Sequence, residues 1–221
     1  MKLMKIASYF LMVFFSVSIL ACSKSKDDDQ VNSYEKLVTP AVDSVIKAMG
    51  ITVNKGVTPP NIEGTYVVSK SYVTKSNFND ALLHIVTGID TTTYFNQNNS
   101  KLSIDCKSRF KYTYTSGKSQ ISTGNGYFIS GEGNKFTVIS SNYGELTDNI
   151  TGKTAKYRTV GVVSGEIVKN DNGTIKGIQN YQSATIMQEV YQEPSLVIKP
   201  NQARMGQNGT GATSAFVPKI D

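Results

Sequence analysis

Leu102, Ile104, Cys106, Phe110, Tyr112 and Tyr114 all fall on positions of one parity. A two-residue repeat puts them on one face of an extended chain and rules out a helix, whose apolar face repeats every three to four residues. The stretch reads as one half-buried strand, or as two with a bend near Ser108. Its neighbours carry the same signal. Residues 64–73 are rich in β-branched and aromatic side chains, which favour a pleated surface. Tyr127-Phe128-Ile129 and Phe136-Thr137-Val138-Ile139 flank Gly131-Glu132-Gly133-Asn134, a glycine-rich hairpin turn. Residues 157–168 and 174–181 flank Asn170-Asp171-Asn172-Gly173, the plainest hairpin in the chain. Residues 184–191 and Leu196-Val197-Ile198 read as two further strands. Roughly eight to ten strands, about 8–12 residues apart and joined by hairpins, predict a mainly β fold. The two candidate architectures are an antiparallel β-barrel and a two-sheet β-sandwich.

One segment departs from this pattern clearly. Thr39 can cap a helix, Pro40 suits its first position and Asp43 its positive end. Ala41, Val42, Val45, Ile46 and Met49 then share a face, and Gly50 closes it. This predicts a short N-terminal helix over 40–49, covering an opening or a face of the β-structure, with residues 51–62 as an extended connector. Residues 78–87 read as a short helix or an irregular excursion in a long first crossover. The end of the chain is rich in Gly, Asn and Gln and reads as loosely ordered.

The beginning of the chain speaks to location. Lys2 and Lys5 precede an uncharged run from Ile6 to Ala21, followed by Cys22. The run is shorter than the about 20 apolar residues a spanning helix needs and has the layout of a secretory signal peptide. Ile19-Leu20-Ala21-Cys22 resembles the lipobox of bacterial lipoprotein precursors, with Ile in place of the commoner Leu. The resemblance implies cleavage before Cys22, acylation of that cysteine and attachment to the membrane without spanning it. Lys26-Asp27-Asp28 follows, within a polar tether. It is similar to the export signal of surface lipoproteins in anaerobic Gram-negative gut commensals, which implies an outer-membrane protein exposed on the cell surface. Asp43-Ser44-Val45 and Asp90-Thr91-Thr92 resemble the O-glycosylation sites of the same organisms. Gly64-Thr65-Tyr66 resembles the opening of lipocalin-like (calycin) barrels, with Tyr where those have Trp. The expected organisation is a signal peptide (1–21), a tether (22–33), helix and connector (34–63), a β-domain (64–200) and a loose tail (201–221).

Composition narrows the chemistry. The only cysteines are Cys22 and Cys106; with Cys22 committed to lipid, no internal disulfide is expected. Net charge is +6, but the basic residues are scattered and form no stripe for nucleic acid. The single histidine, His84, sits between Leu83 and Ile85, too little for a zinc site of three or four ligands. No Gly-x-Ser-x-Gly elbow occurs, and the Gly-rich segment 206–211 lacks the strand-to-helix setting of a phosphate loop. Glu132, Glu145, Glu166 and Glu189 are available for paired-carboxylate hydrolysis, but no spacing groups them.

Neither a catalytic constellation nor a cofactor motif is found. The expected function is therefore non-enzymatic: a surface-anchored β-domain binding a small apolar or glycan-like ligand. Tyr112, Tyr114, Tyr127 and Tyr157 are the candidate lining residues. The alternatives are an accessory subunit docking on an outer-membrane protein partner and an extracellular hydrolase.

Overall fold

The computed structural model describes residues 37–114, 118–209 and 216–220. Helix α1 runs Pro40–Met49. Thr39 Oγ1 accepts a hydrogen bond from the Val42 N–H at 3.4 Å. Gly50 takes the left-handed conformation (φ 75°) and donates its N–H to the carbonyls of Ile46 and Lys47. The strands are β1 (Gly64–Ser76), β2 (Val86–Asn98), β3 (Ser103–Tyr112), β4 (Lys118–Glu132), β5 (Lys135–Asp148), β6 (Lys153–Lys169), β7 (Ile175–Gln192), β8 (Ala203–Asn208) and β9 (Val217–Ile220).

The fold is mainly β, with 63% of the described residues in strands. All nine strands belong to one sheet in the order β2-β3-β4-β5-β6-β7-β8-β1-β9. β1 also pairs with β2, so the antiparallel sheet rings round on itself. β8 and β9 share one place between β7 and β1. β8 pairs with Ser183–Ile186 of β7 and Ser71–Ser76 of β1. β9 pairs with Gly177–Ile178 and Thr65–Tyr66.

Several expectations are corrected. The nine strands form one sheet, not the two packed sheets of a sandwich. The expected loose tail supplies β8 and β9, which complete the ring between β7 and β1. Residues 184–191 continue β7, and Leu196-Val197-Ile198 form no strand: Pro194–Leu196 is a 3₁₀ turn. Pro194 removes a ladder donor there. The odd-even stretch is one strand, β3, ending at Tyr112. Residues 78–85 form a turn, and β2 begins at Val86.

The alternation of each strand separates an inside from an outside. On the outside, Val42, Ile46 and Met49 of α1 bury themselves against Ile139, Val160, Val162 and Ile186. On the inside, Tyr66, Tyr94, Ile104, Tyr127, Ile129 and Phe136 fill one end of the ring. The connector reinforces that end. Gln97 Nε2 donates to Pro60 O at 2.8 Å, its Oε1 accepts from the Ile62 N–H at 2.9 Å, and Ile62 is fully buried in the same cluster. Gly56 and Gly131 meet where a Cβ on Gly56 would lie 2.4 Å from the Gly131 carbonyl oxygen, so the connector can lie flat on β4.

Candidate functional site

Beyond the packed end, the inward positions become small and polar: Thr92, Ser108, Ser122, Ser140, Thr159 and Ser183. Short side chains facing each other across a ring cannot meet, and a cavity of about 230 Å³ remains, walled by residues of every strand from β1 to β8. Nearer the far end the lining turns apolar, with Phe110, Tyr112, Leu146, Tyr157 and Met187. Leu82 from the β1–β2 turn, with Leu196, Val197 and Ile198 from the segment after β7, completes this apolar collar. A second depression of about 250 Å³ shares the collar and adds Tyr114, Lys118 and Ser195. The collar is thus the way between cavity and exterior.

A glycine shapes it. Gly144 on β5 pairs with Tyr157 on β6, and a Cβ on Gly144 would lie 2.4 Å from the Tyr157 ring. The absent side chain lets the ring lie across β5 and form part of the wall.

The two segments of the collar are fastened to each other. Arg204 of β8 donates to Asp80 through Nε (2.7 Å, to Oδ2) and Nη2 (2.9 Å, to Oδ1). Ser76 Oγ and the Leu82 N–H donate to the same carboxylate, whose side chain is 1% exposed. Burial alone would raise the Asp80 pKa, but these donors and the guanidinium charge outweigh it and hold the carboxyl below its ordinary value. Asn77 adds a bond to Asn201 O (3.0 Å) and one from the Ala203 N–H (2.8 Å).

Asp90 is the other charged residue of the cavity wall. It lies on β2, where its neighbours across the sheet are Val68 and Phe110. The residue keeps partial exposure, but its Oδ1 is shut off from water and has no hydrogen-bond partner. Burial pushes its pKa up to about 7; hydrogen bonds from Thr92 and the Thr91 N–H offset this only in part, and no basic side chain is close enough to hold it ionised. Tyr94 and Tyr181 stand within range of its charge, and burial raises both their pKa values. Burial likewise pushes the Cys106 thiol up to about 12, which leaves it protonated and a poor nucleophile.

The sequence-derived candidates divide. Tyr112 and Tyr157 stand in the cavity wall; the Tyr112 hydroxyl donates to Gln120 Oε1 at 3.1 Å. Tyr114 lies on the outer rim and is 54% exposed. Tyr127 is packed in the filled end, and its hydroxyl donates to Asn142 Oδ1 at 2.5 Å, positioning a residue that does line the cavity. Cys22, Lys26, Asp27 and Asp28 lie outside the described residues. Glu132, Glu145, Glu166 and Glu189 do not line the cavity. Glu145 pairs with Lys156, Glu166 accepts from Gln179, and Glu189 accepts from Tyr191. His84 is also outside the wall, beside Tyr72. Among the described residues no group of three metal-ligating side chains forms, and no helix is long and apolar enough to cross a membrane.

Asp90 stood out in the sequence only within the glycosylation-like Asp90-Thr91-Thr92; the Asp80–Arg204 pair and the collar segments were not singled out as a site. The available signal was an acidic residue directly before Thr91-Thr92-Thr93, in a stretch rich in β-branched residues. No family model matches this chain, and no curated protein or solved structure shows significant similarity to it.

Proposed function

We propose that this protein is a lipid-anchored carrier or receptor that holds a small, largely apolar molecule inside a lipocalin-like barrel. The observation that carries the reading is the cavity: about 230 Å³, enclosed by eight strands, with an apolar collar outside a polar interior. Ligand sites commonly measure about 300–1,000 Å³ and combine apolar walls with a few placed polar groups. This one lies below that range, which suits a compound no larger than a single ring. The single carboxylate in the wall favours binding over two-carboxylate hydrolysis. Anchoring would come from Cys22 and surface export from Lys26-Asp27-Asp28, as the lipoprotein resemblance implies.

Methionine methyl NMR tests it. Met187 lines the cavity, while Met49 sits under α1 outside the ring. Titration with 2-phenylethanol is expected to shift the Met187 methyl resonance saturably and leave that of Met49 in place. An unmoved Met187 at millimolar ligand would overturn the reading.

One observation favours a second reading, an accessory subunit of an outer-membrane complex. Tyr143 (63% exposed) and Tyr191 (53%) stack on the outside of the ring with ring centroids 6.3 Å apart, and Ile121 (58%) lies exposed on the adjoining strand. Exposed aromatic and aliphatic side chains of this kind are enriched at interfaces. A stoichiometric membrane partner recovered with the wild-type chain and lost with Tyr143→Ser would support it; recovery of the chain alone would contradict it.

A further inference from the structure

Asp90 makes the interior of this ring selective as well as hollow. Two charged residues line the cavity among the described residues, and Arg204 is already engaged in a bidentate pair with Asp80 at the collar. Lys118 belongs only to the outer depression. Asp90 therefore faces the interior without a cation. The titratable groups within range of its charge are neutral: Tyr94, Cys106, Tyr112 and Tyr181. Its Oδ1 accepts no hydrogen bond. A buried acceptor left unmet is costly, more so when charged, and natural interiors rarely retain one without a use. Oδ1 itself is closed to water, but Asp90 keeps partial exposure in the cavity wall, and in the free protein water there would serve the open side of the carboxylate. A ligand that displaces that water must bring a donor, and the strongest donor for a carboxylate in such surroundings is a cation.

Resting on the cavity-binding reading above, we propose that the ligand is a small organic amine whose apolar body fills the collar and whose ammonium group pairs with Asp90. The division of the wall matches such a molecule. Phe110, Leu146 and Met187 would surround the apolar body. Thr92, Ser108 and Ser183 would surround the polar end, where tyrosine rings can also attract a cation. A carboxylate ligand is disfavoured, because its charge would meet Asp90 and find no free cation.

Calorimetric titration of the full chain with three single-ring compounds tests this: phenethylamine, 2-phenylethanol and 3-phenylpropionate. At about pH 8, where Asp90 is ionised, phenethylamine should bind at least about tenfold tighter than the alcohol, and the acid weakest of all. The amine stays protonated down to pH 5.5, but Asp90 gains a proton below about pH 7. The amine's advantage should therefore shrink on acidification, while the alcohol's affinity stays level. Asp90→Asn should bring the amine down to the alcohol's affinity and leave the alcohol unchanged. If Asp90→Asn does not fold, the wild-type ratio and its pH dependence decide alone. Equal binding of amine and alcohol at pH 8, a preference for the acid, or a preference retained in Asp90→Asn would overturn the amine assignment while leaving the cavity reading standing. Failure of all three compounds to bind would overturn both.

Discussion

Two carboxyl groups show how burial without a partner and burial with one act in opposite directions. Asp80 has donors on every side and ionises more readily than a free carboxyl; Asp90 lacks a cation and ionises less readily. Their contributions to stability follow. Asp80 stabilises the fold at pH values above the ordinary carboxylate range, and that stability is lost as pH falls through its lowered value. For Asp90 the folded pKa, about 7, lies above the unfolded one. Its contribution is fully present below about pH 4 and is lost as pH rises toward 7. Asp90→Asn should therefore leave stability nearly unchanged at pH 4 and raise it at pH 8 by on the order of 2–4 kcal/mol. Urea denaturation at the two pH values measures the difference. A variant less stable than wild type at pH 8 would mean that Asp90 has a partner in the folded protein.

Among the elements, the collar depends on one ion pair. In the β1–β2 turn Phe78, Leu82 and Ile85 are only half-buried and Leu83 is exposed, and Asp80–Arg204, with Asn77, ties the turn to β8 and to the segment after β7. Arg204→Ala would leave a buried carboxylate unpaired, which costs about 3–5 kcal/mol. Urea denaturation should show that loss. Hydrogen exchange should show residues 77–85 losing protection more than β5 and β6 do. Uniform loss across all strands would argue against a local clasp.

How legible each element was depends on what its residues face. The β4–β5 and β6–β7 hairpins were plain because Gly133 and Gly173, both at positive φ, stand between apolar strands. Helix α1 was plain because its cap, buried stripe and terminal glycine agree. β2 was hidden: its inward residues Asp90 and Thr92 are polar, so apolar alternation fails exactly where the cavity lies. β8 and β9 were hidden for a related reason. They are short, and the residues they bury, Ala203, Met205 and Val217, are too few to show a strand period. The tyrosines at positions 112 and 157 were found because aromatic residues on strands are conspicuous. The carboxylate among threonines was not.

At the scale of the whole molecule, a ring of strands packed at one end and hollow toward the other is carried, on our reading, by a lipid tether. Among the described residues no helix is long and apolar enough to cross a bilayer, and α1 spends its apolar face on the outside of the ring. Cys22→Ala should accordingly release the protein from membranes, read by fractionation after carbonate and salt washes. Changing Lys26, Asp27 and Asp28 to Ala should leave it lipidated but protected from protease added to intact cells. Persistent membrane association of Cys22→Ala would contradict the tether.

The central claim is that the hollow is a binding site. Anomalous diffraction from crystals soaked in 4-bromophenethylamine tests it most directly. The account predicts a bromine peak in the collar beside Leu146, Tyr157 and Met187, with the amine nitrogen within hydrogen-bonding distance of Asp90. A bromine peak only on the outer surface, or an interior still free of the compound at saturating concentration, would contradict it.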